Sequence, residues 1–278
     1  MSEKTMRVSF IGLGNMASAI IRGMVASGEF RPGQILGCAP RRAAPRSIEK
    51  DAGIRVCSEP AEAVEADVII LAVKPQVLPK VLNDLTGHGE RAAAEGMKFS
   101  GKLFISIAAG RSLEWLRERL GPEAAITRVM PNINSKVGAS TSAYAADAGI
   151  AGAHKKTVER IFSTVGSVTE IPEAHFSIFS AVAGASPAFS YMYIDALARS
   201  AVKAGLPRAQ AIKIAAGAVL GSAKMILESD EHPCHLADQV CSPGGSTIEG
   251  VMTLQKLGFE SAVHQAVQAV TDKEKNMG

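Results

Sequence analysis

Three stretches of the sequence combine residue types and spacings that suit chemistry. A G-x-G-x-x-A pattern over residues 12–17 follows a short apolar run, and such turns let a backbone approach the pyrophosphate of a dinucleotide. The basic pair Arg41–Arg42 follows the next apolar run, and guanidinium groups suit a phosphate. The run Ser242–Thr247 leads into a predicted helix, whose first N–H groups suit a small anion.

Each residue of the first turn has a physical task in nucleotide binding. Gly12 allows a sharp turn, and Gly14 leaves room for a pyrophosphate against the backbone. Asn15 and Met16 begin a helix whose N–H groups and dipole face the phosphates, while Ala17 lets that helix lie close to the strand. The alternative is a strand, turn and helix that binds no nucleotide.

The end of the second predicted strand distinguishes between the two nicotinamide cofactors. An acid there favours NAD because it accepts bonds from the ribose hydroxyls. This chain instead offers Arg41 and Arg42, which suit a 2′-phosphate and predict NADP, with NADPH preferred over NADH. A solvent-exposed basic loop is the alternative reading.

Three later strand-like runs end where a parallel sheet borders its ligand crevice. Lys74 follows the most continuous apolar run, and either faces the cofactor or points to solvent. Asn132 follows another run and suits the nicotinamide carboxamide, although turn asparagines are common. The candidate cofactor contacts at these ends are Ala72, Val73, Lys74, Pro75, Ala108, Ala109, Gly110 and Asn132.

The order of predicted elements divides the chain in two. Strands and helices alternate through about residue 172, which predicts an α/β, Rossmann-type dinucleotide-binding domain over residues 1–172. Residues 173–278 show no strand pattern and predict an all-α domain, with a polar loop over 228–241 between its helices. The long apolar helices of this domain predict that it pairs with a second subunit.

Composition disfavours several other classes of protein. The formal charge is only +3 and no basic run exceeds a pair, so we expect no nucleic-acid partner. No secretory signal or uninterrupted membrane-spanning stretch is evident, which predicts a cytoplasmic protein without a membrane partner. The four cysteines form no CxxC pair and have no metal spacing with the six histidines, so we predict no metal site.

The chain resembles pyrroline-5-carboxylate reductases over nearly its whole length. The most specific match is a Leu-x-Asp-x-Val-x-Ser-Pro-Gly-Gly-x-Thr run that joins two helices, here Leu236 to Thr247. Further matches, in the family's order, are Gly12/Gly14/Asn15/Met16/Ala17, Ala72–Gln76, Ser106–Gly110, Arg128–Asn132, Gly205–Arg208 and His232–Pro233. Two places depart from the family pattern: Asn134 replaces a usual proline, and the family's usual Ser-Gly-Ser-Gly-Pro before the long helix is here Ala183-Gly184-Ala185-Ser186-Pro187.

The resemblance implies reduction of the cyclic imine 1-pyrroline-5-carboxylate to L-proline by a nicotinamide hydride, the last step of proline biosynthesis. It implies a dimer with interlocked helical domains, which often assembles further, commonly to a decamer. It also favours a substrate anchor at Ser242, Gly245, Ser246 and Thr247, with Thr247 as the catalytic candidate. Spacing alone favours a plain helix cap by Ser246 or Thr247. Asp230, in the preceding polar loop, is a further electrostatic candidate.

Two other functions fit part of the sequence. A β-hydroxyacid dehydrogenase also pairs a Rossmann domain with helices, but it needs a general base, and Pro187–Ser200 contains no lysine and only one acid, Asp195. A non-catalytic NADP-binding regulator needs the glycine turn but not the Ser242–Thr247 run. An iminium substrate arrives protonated near neutral pH, which agrees with the lack of a His–carboxylate pair at usable spacing.

Overall fold

A computed structural model describes residues 6–40, 46–86 and 99–276 of the chain. These residues form two compact units, one made of the chain up to Gly184 together with residues from Thr271 onward, and one made of Ala185–Val270. The division of the chain into domains at residues 172 and 173 stays a prediction.

The first unit is built on one eight-stranded sheet with the strand order β3-β2-β1-β4-β5-β6-β7-β8. Strands β1 to β6 run parallel, β7 is antiparallel to β6, and β8 is parallel to β7. This order is that of a Rossmann fold, so the predicted α/β class is confirmed. The strands are β1 Val8–Ile11, β2 Ile35–Cys38, β3 Arg55–Cys57, β4 Val68–Leu71, β5 Leu103–Ser106, β6 Ala125–Met130, β7 Ser140–Ala146 and β8 Gly166–Glu170.

The central strands are apolar at every position because both faces of the sheet are covered. Successive residues of a strand point to opposite faces, so Phe10 and Ile70 enter one core cluster while Ile11 and Leu71 enter the other. All four residues of β4 are buried, as expected for a parallel strand in the middle of the sheet. The two clusters fix the strand ends, and these ends carry the candidate cofactor contacts.

The helices of the first unit cover both faces of this sheet. They are α1 Asn15–Ala26, α2 Arg46–Ala52, α3 Pro60–Ala63, α4 Leu78–Thr86, α5 Leu113–Leu120, α6 Gly152–Phe162 and α7 Phe176–Phe179. Short 3₁₀ turns occupy Pro32–Gln34, Ile133–Val137, Ser163–Val165 and Glu173–His175, and a π-helical turn occupies Ser180–Ala185. No pattern in the sequence predicted the π-helical turn, which precedes the next long helix.

The rest of the chain is helical, and the described residues beyond β8 contain no strand, as predicted. Its helices are α8 Ser186–Lys203, α9 Arg208–Glu228, α10 Pro233–Val240, α11 Ser246–Lys256 and α12 Phe259–Lys275. The predicted polar loop over 228–241 was wrong, because α10 occupies most of it. Pro233 takes the first helical position, and the His232 ring nitrogen Nδ1 accepts a bond from the Cys234 N–H at 3.2 Å.

The second unit has a small core of its own. Its buried side chains Ala198, Ala211 and Ala215 pack with Ile194 and Ala201. Many larger apolar side chains remain exposed, for example Met192 at 72%, Leu220 at 70%, Leu227 at 85% and Leu257 at 77%. Such a surface in a helical unit is typical of a face that a second subunit covers.

Helix α9 has the length and mean hydropathy of a membrane-spanning helix, although Lys213 and Lys224 interrupt its apolar residues. It is 21 residues long, and an 18-residue window has a mean hydropathy of 1.3 with 11% of its residues buried. One helix of this kind is weak support for a membrane span, because a subunit-covered helix has the same composition.

Candidate functional site

The candidate cofactor contacts of β1, β4, β5 and β6 follow strands that run parallel, so they share one edge of the sheet. β1 and β4 are neighbours although they are not consecutive in the chain, which makes their ends the switch point where such sheets bind ligands. The Ala72 N–H donates to the Ile11 carbonyl at 2.8 Å, and the Gly12 N–H donates to the Cys38 carbonyl at 2.8 Å. The glycine turn is therefore tied to both neighbouring strands.

Gly12 is required by the close approach of these strand ends. Its φ of +102° lies in the region that side chains rarely adopt. A Cβ atom there would lie 2.7 Å from the Ala72 carbonyl oxygen and 2.8 Å from Val73 Cγ1. The predicted sharp turn thus rests on contacts with the candidate residues of β4.

The start of α1 is open and has no side-chain cap. The N-cap residue is Gly14, which has no side chain to cap the helix. A Cβ atom at Gly14 would meet nothing within 4 Å among the described atoms. Asn15 is exposed, while Ala17 and the Met16 side chain pack into the core beneath the helix. A groove of about 750 Å³ runs along α1 and reaches Asn15. The free N–H groups and the space beside Gly14 suit a phosphate, and the contacts themselves stay a prediction.

The segment after β4 presents one basic side chain. Ala72 and Val73 are half-buried against the cores, Pro75 is half-buried, and Lys74 is exposed. The Lys74 carbonyl accepts bonds from Val77 and Leu78 at 2.9 and 3.2 Å, which starts α4. Its ammonium makes no ion pair with any described residue, so both predicted roles of Lys74 stay open.

The segment after β5 is a tight turn beside a cavity. Ala108 is buried, Ala109 is exposed, and Gly110 has a φ of +66°. The adjoining cavity has a volume of about 270 Å³ and is lined in part by Gly110, Met130 and Phe176. The turn leads to Ser112, whose Oγ accepts the Trp115 N–H at 3.0 Å and caps α5.

Asn132 is buried and holds local structure. Its Nδ2 donates to the Ala183 carbonyl at 2.9 Å, and its Oδ1 accepts the Asn134 N–H at 3.2 Å. The nicotinamide contact of Asn132 stays a prediction, and these two bonds give the side chain a structural role as well.

The adenosine end of the candidate site is described only up to Pro40, because Arg41 and Arg42 lie outside the described residues. Two buried cysteines end the neighbouring strands, with Cys38 of β2 level with Cys57 of β3. Burial first, then the hydrogen bond with Cys57, raises the pKa of Cys38 to about 12. Burial also raises the pKa of Cys57. Both thiols are therefore protonated, and within the described part of the chain no cluster of three potential ligands could hold a metal ion.

The Ser242–Thr247 run forms a type II-like turn followed by α11. The Gly245 N–H donates to the Ser242 carbonyl at 2.9 Å, with Pro243 second and Gly244 third at φ +67°. A Cβ on Gly245 would lie 2.4 Å from the Ser242 Oγ, so the absence of a side chain keeps this turn compact.

Gly245, which has no side chain, is the N-cap of α11. Ser246 and Thr247 are exposed residues of its first turn, and their hydroxyls make no hydrogen bond to any residue that the structure describes. The cap reading therefore loses its support, and three hydroxyl groups, with that of Ser242, stand beside uncapped N–H groups. The substrate contacts stay a prediction, as does any role of the exposed Asp230.

The sequence patterns did not predict the ion pair of Arg128, which is buried, with Glu173, which is partly buried. Arg128 of β6 donates through Nη1 to Glu173 Oε1 at 2.6 Å, and its guanidinium lies 4.5 Å from the centre of the Phe176 ring. The two residues are 45 positions apart in the sequence. The available signal was a single charge within an otherwise apolar strand, since a buried charge needs a partner.

Comparisons with known proteins agree along the whole chain. A family model described as pyrroline-5-carboxylate reductase dimerisation matches residues 173–277, and one described as NADP oxidoreductase coenzyme F420-dependent matches residues 7–110. The chain is 39% identical to the pyrroline-5-carboxylate reductase of Escherichia coli over 272 residues, which is 98% of each chain. It is 35% identical to the Arabidopsis thaliana enzyme of that name, over 99% of this chain and 96% of the relative.

Two solved structures are similar over 99% of both chains. A pyrroline-5-carboxylate reductase from Coxiella burnetii gives a TM-score of 0.88 at 27% identity. The Plasmodium falciparum pyrroline carboxylate reductase, solved with NADP bound, gives a TM-score of 0.85 at 31% identity.

Proposed function

The chain belongs to the pyrroline-5-carboxylate reductase family, and we propose that it uses NADPH in preference to NADH and anchors its substrate at the start of α11. The enzyme reduces 1-pyrroline-5-carboxylate to L-proline, the last step of proline biosynthesis. The reaction adds a hydride to the imine carbon of a ring whose nitrogen carries a proton, so the product is a secondary amine. The identity over nearly the full length of curated reductases carries this assignment.

The residues at the β1–α1 turn fit a dinucleotide. A pyrophosphate needs backbone N–H groups, room beside the backbone, and no competing side chain. The uncapped start of α1 and the open space beside Gly14 supply all three. When bound, NADPH supplies the hydride. We propose that the chain binds the phosphates of NADPH at Gly12–Ala17. It binds the nicotinamide end at Ala72–Pro75, Ala108–Gly110 and Asn132.

The preference for NADPH is proposed from the sequence. Arg41 and Arg42 follow β2 where the adenosine ribose of a Rossmann cofactor binds, and no acid stands there to favour NAD. Paired guanidinium groups give a 2′-phosphate charge-assisted hydrogen bonds that a hydroxyl cannot match.

The substrate anchor is proposed from the open start of α11. A carboxylate suits the positive end of a helix, and the uncapped N–H groups after Gly245 can receive it. The hydroxyls of Ser242, Ser246 and Thr247 add donors, and Thr247 is the group proposed to touch the imine nitrogen. Since the substrate brings its own proton, catalysis depends mainly on bringing the reacting carbons to within about 3–3.5 Å.

The match of residues 173–277 to a dimerisation family model supports a homodimer. We further propose that dimers assemble to a higher oligomer such as a decamer, and that the enzyme is cytoplasmic, without membrane or nucleic-acid partners. On this proposal, the exposed apolar side chains of α9 meet protein and not lipid.

One assay separates the candidate functions. The purified protein is given NADPH with and without pyrroline-5-carboxylate, and loss of NADPH absorbance is followed together with proline formation. We expect imine-dependent oxidation with one proline formed per NADPH consumed. In a parallel arm that contains NADP and a β-hydroxyacid, reduction of NADP in a protein without imine activity would instead indicate a dehydrogenase. Cofactor binding without either turnover would indicate a regulator.

A further inference from the structure

The proposed nicotinamide turn, Ala108–Gly110, is held from a distant part of the chain. The turn lies between β5 and α5, and α5 begins three residues after it, at Leu113. The Leu113 N–H donates to Glu173 Oε1 at 2.9 Å, although the two residues are 60 positions apart. A carboxylate at this place is stabilised by the dipole of the helix as well as by the hydrogen bond.

The same carboxylate is fixed from the sheet. Arg128 of β6 donates to Glu173 Oε1 at 2.6 Å, and Arg128 is level with Ser106, the last residue of β5. Arg128 is only 9% exposed and lies over the Phe176 ring, so its guanidinium has little freedom. Charge-assisted bonds of this kind are short and directional. One end of the 107–112 segment thus continues directly from β5, and the residue after its other end is attached to the neighbouring strand β6 through Glu173 and Arg128.

We propose that Glu173 is a positioning residue for the cofactor, which sets the place of the Ala108–Gly110 turn through Leu113 and Arg128. Glu173 does not touch the cofactor on this proposal. Its effect on the cofactor passes through the start of α5 to the turn that precedes this helix. The inference rests on the proposed cofactor contacts at Ala108–Gly110.

The chain offers a matched control at the other end of α5. Arg117 donates through Nε to Asp147 Oδ2 at 2.7 Å, which also ties α5 to the sheet side of the unit. The carboxylate side chains have similar exposure, 23% for Asp147 and 29% for Glu173. Of these two carboxylates, Glu173 contacts the end of α5 that follows the turn and Asp147 does not. Loss of either ion pair should loosen the helix, but only loss of the Glu173 pair should loosen the turn.

The experiment measures NADPH affinity in the folded protein. Trp115 is the single tryptophan and lies in the first turn of α5, so energy transfer from Trp115 to bound NADPH reports binding without catalysis. The variants are Glu173→Gln, which keeps an acceptor for Leu113 but loses the charge, Glu173→Ala, which loses both, and Asp147→Asn. All are titrated at a temperature where thermal unfolding shows each variant folded, and kcat and KM are measured for both substrates.

We expect the Kd for NADPH to rise about tenfold in Glu173→Gln and further in Glu173→Ala, because the net free energy of a hydrogen bond is comparable to that of a tenfold change in binding. The KM for pyrroline-5-carboxylate should stay near wild type in the Glu173 variants. The Kd for NADPH should stay near wild type in Asp147→Asn. Unchanged NADPH affinity in both Glu173 variants, or equal loss in Asp147→Asn, would overturn the proposal. If neither Glu173 variant folds, the Kd for NADPH is measured in Arg128→Lys, where the proposal expects a rise of about tenfold and an unchanged Kd would overturn it. Wild-type protein that binds NADPH but does not reduce the imine would refute the function and leave this test intact.

Discussion

Replacement of Thr247 by alanine tests the proposed substrate anchor most directly. Thr247 is exposed, and its hydroxyl makes no hydrogen bond to any described residue, so its removal breaks no hydrogen bond within that part of the chain. A hydrogen bond to a charged group contributes about 1.5–3 kcal/mol. Each 1.36 kcal/mol of transition-state stabilisation is about tenfold in rate, so kcat/KM for pyrroline-5-carboxylate should fall roughly 10- to 150-fold.

The same change should leave the fold and the cofactor site intact. Alanine has a higher helix propensity than threonine, so the free energy of unfolding should stay constant or rise by a few tenths of a kcal/mol, about the difference between the two residues. The Kd for NADPH should stay within about twofold of wild type, because Thr247 is not among the proposed cofactor contacts and loses no hydrogen bond to a described residue. Steady-state kinetics, NADPH titration and thermal unfolding of one preparation give all three quantities.

Thr253→Ala is the matched control on the same helix. The Thr253 hydroxyl donates to the Glu249 carbonyl at 2.8 Å, so its hydrogen bond is made within α11. We expect this variant to keep kcat/KM near wild type. Equal losses in the two variants, or a Thr247→Ala variant that loses NADPH affinity as much as turnover, would refute the assigned role.

Three further perturbations follow from the cofactor edge. Alanine at both positions of the Arg41–Arg42 pair should lower the ratio of kcat/KM for NADPH to that for NADH by about tenfold or more; an unchanged ratio contradicts the 2′-phosphate assignment. Gly12→Ala should lower the free energy of unfolding by at least about 1–2 kcal/mol, whereas Gly14→Ala should keep the stability and weaken NADPH binding; a Gly14→Ala variant less stable than Gly12→Ala in thermal unfolding contradicts the geometry. Cys38 has a pKa of about 12, so it stays a protonated thiol at about pH 8 and should resist alkylation in the native protein. Exposed Cys234 should react first, and peptide mass spectrometry that finds Cys38 modified as fast would disprove its burial.

Local patterns predicted the parts of the fold whose causes are local. The glycine turn, the fully apolar β4 and the turn before α11 each depend on a few consecutive residues, and each was found where the sequence placed it. The confirmed fold class follows from the alternation of such segments.

The errors and omissions involve causes that a linear pattern does not carry. Helix α10 was missed because the polar composition of this segment suggests a loop. The start of the helix is stabilised by the His232 cap and by Pro233 at the first helical position. The pair Arg128–Glu173 was missed because its members meet only in the folded sheet. Asn132 was predicted at the right strand end, but its bonds to Ala183 and Asn134 belong to tertiary structure.

The small alanine core of the second unit has a consequence for how the enzyme matures. Helices that bury little among themselves gain their remaining stability from association, so folding of this region and assembly are coupled. The completing step is then bimolecular, and its rate scales with the square of the concentration of newly made chains. A damaged chain that still associates also occupies an intact partner in each pair that it joins.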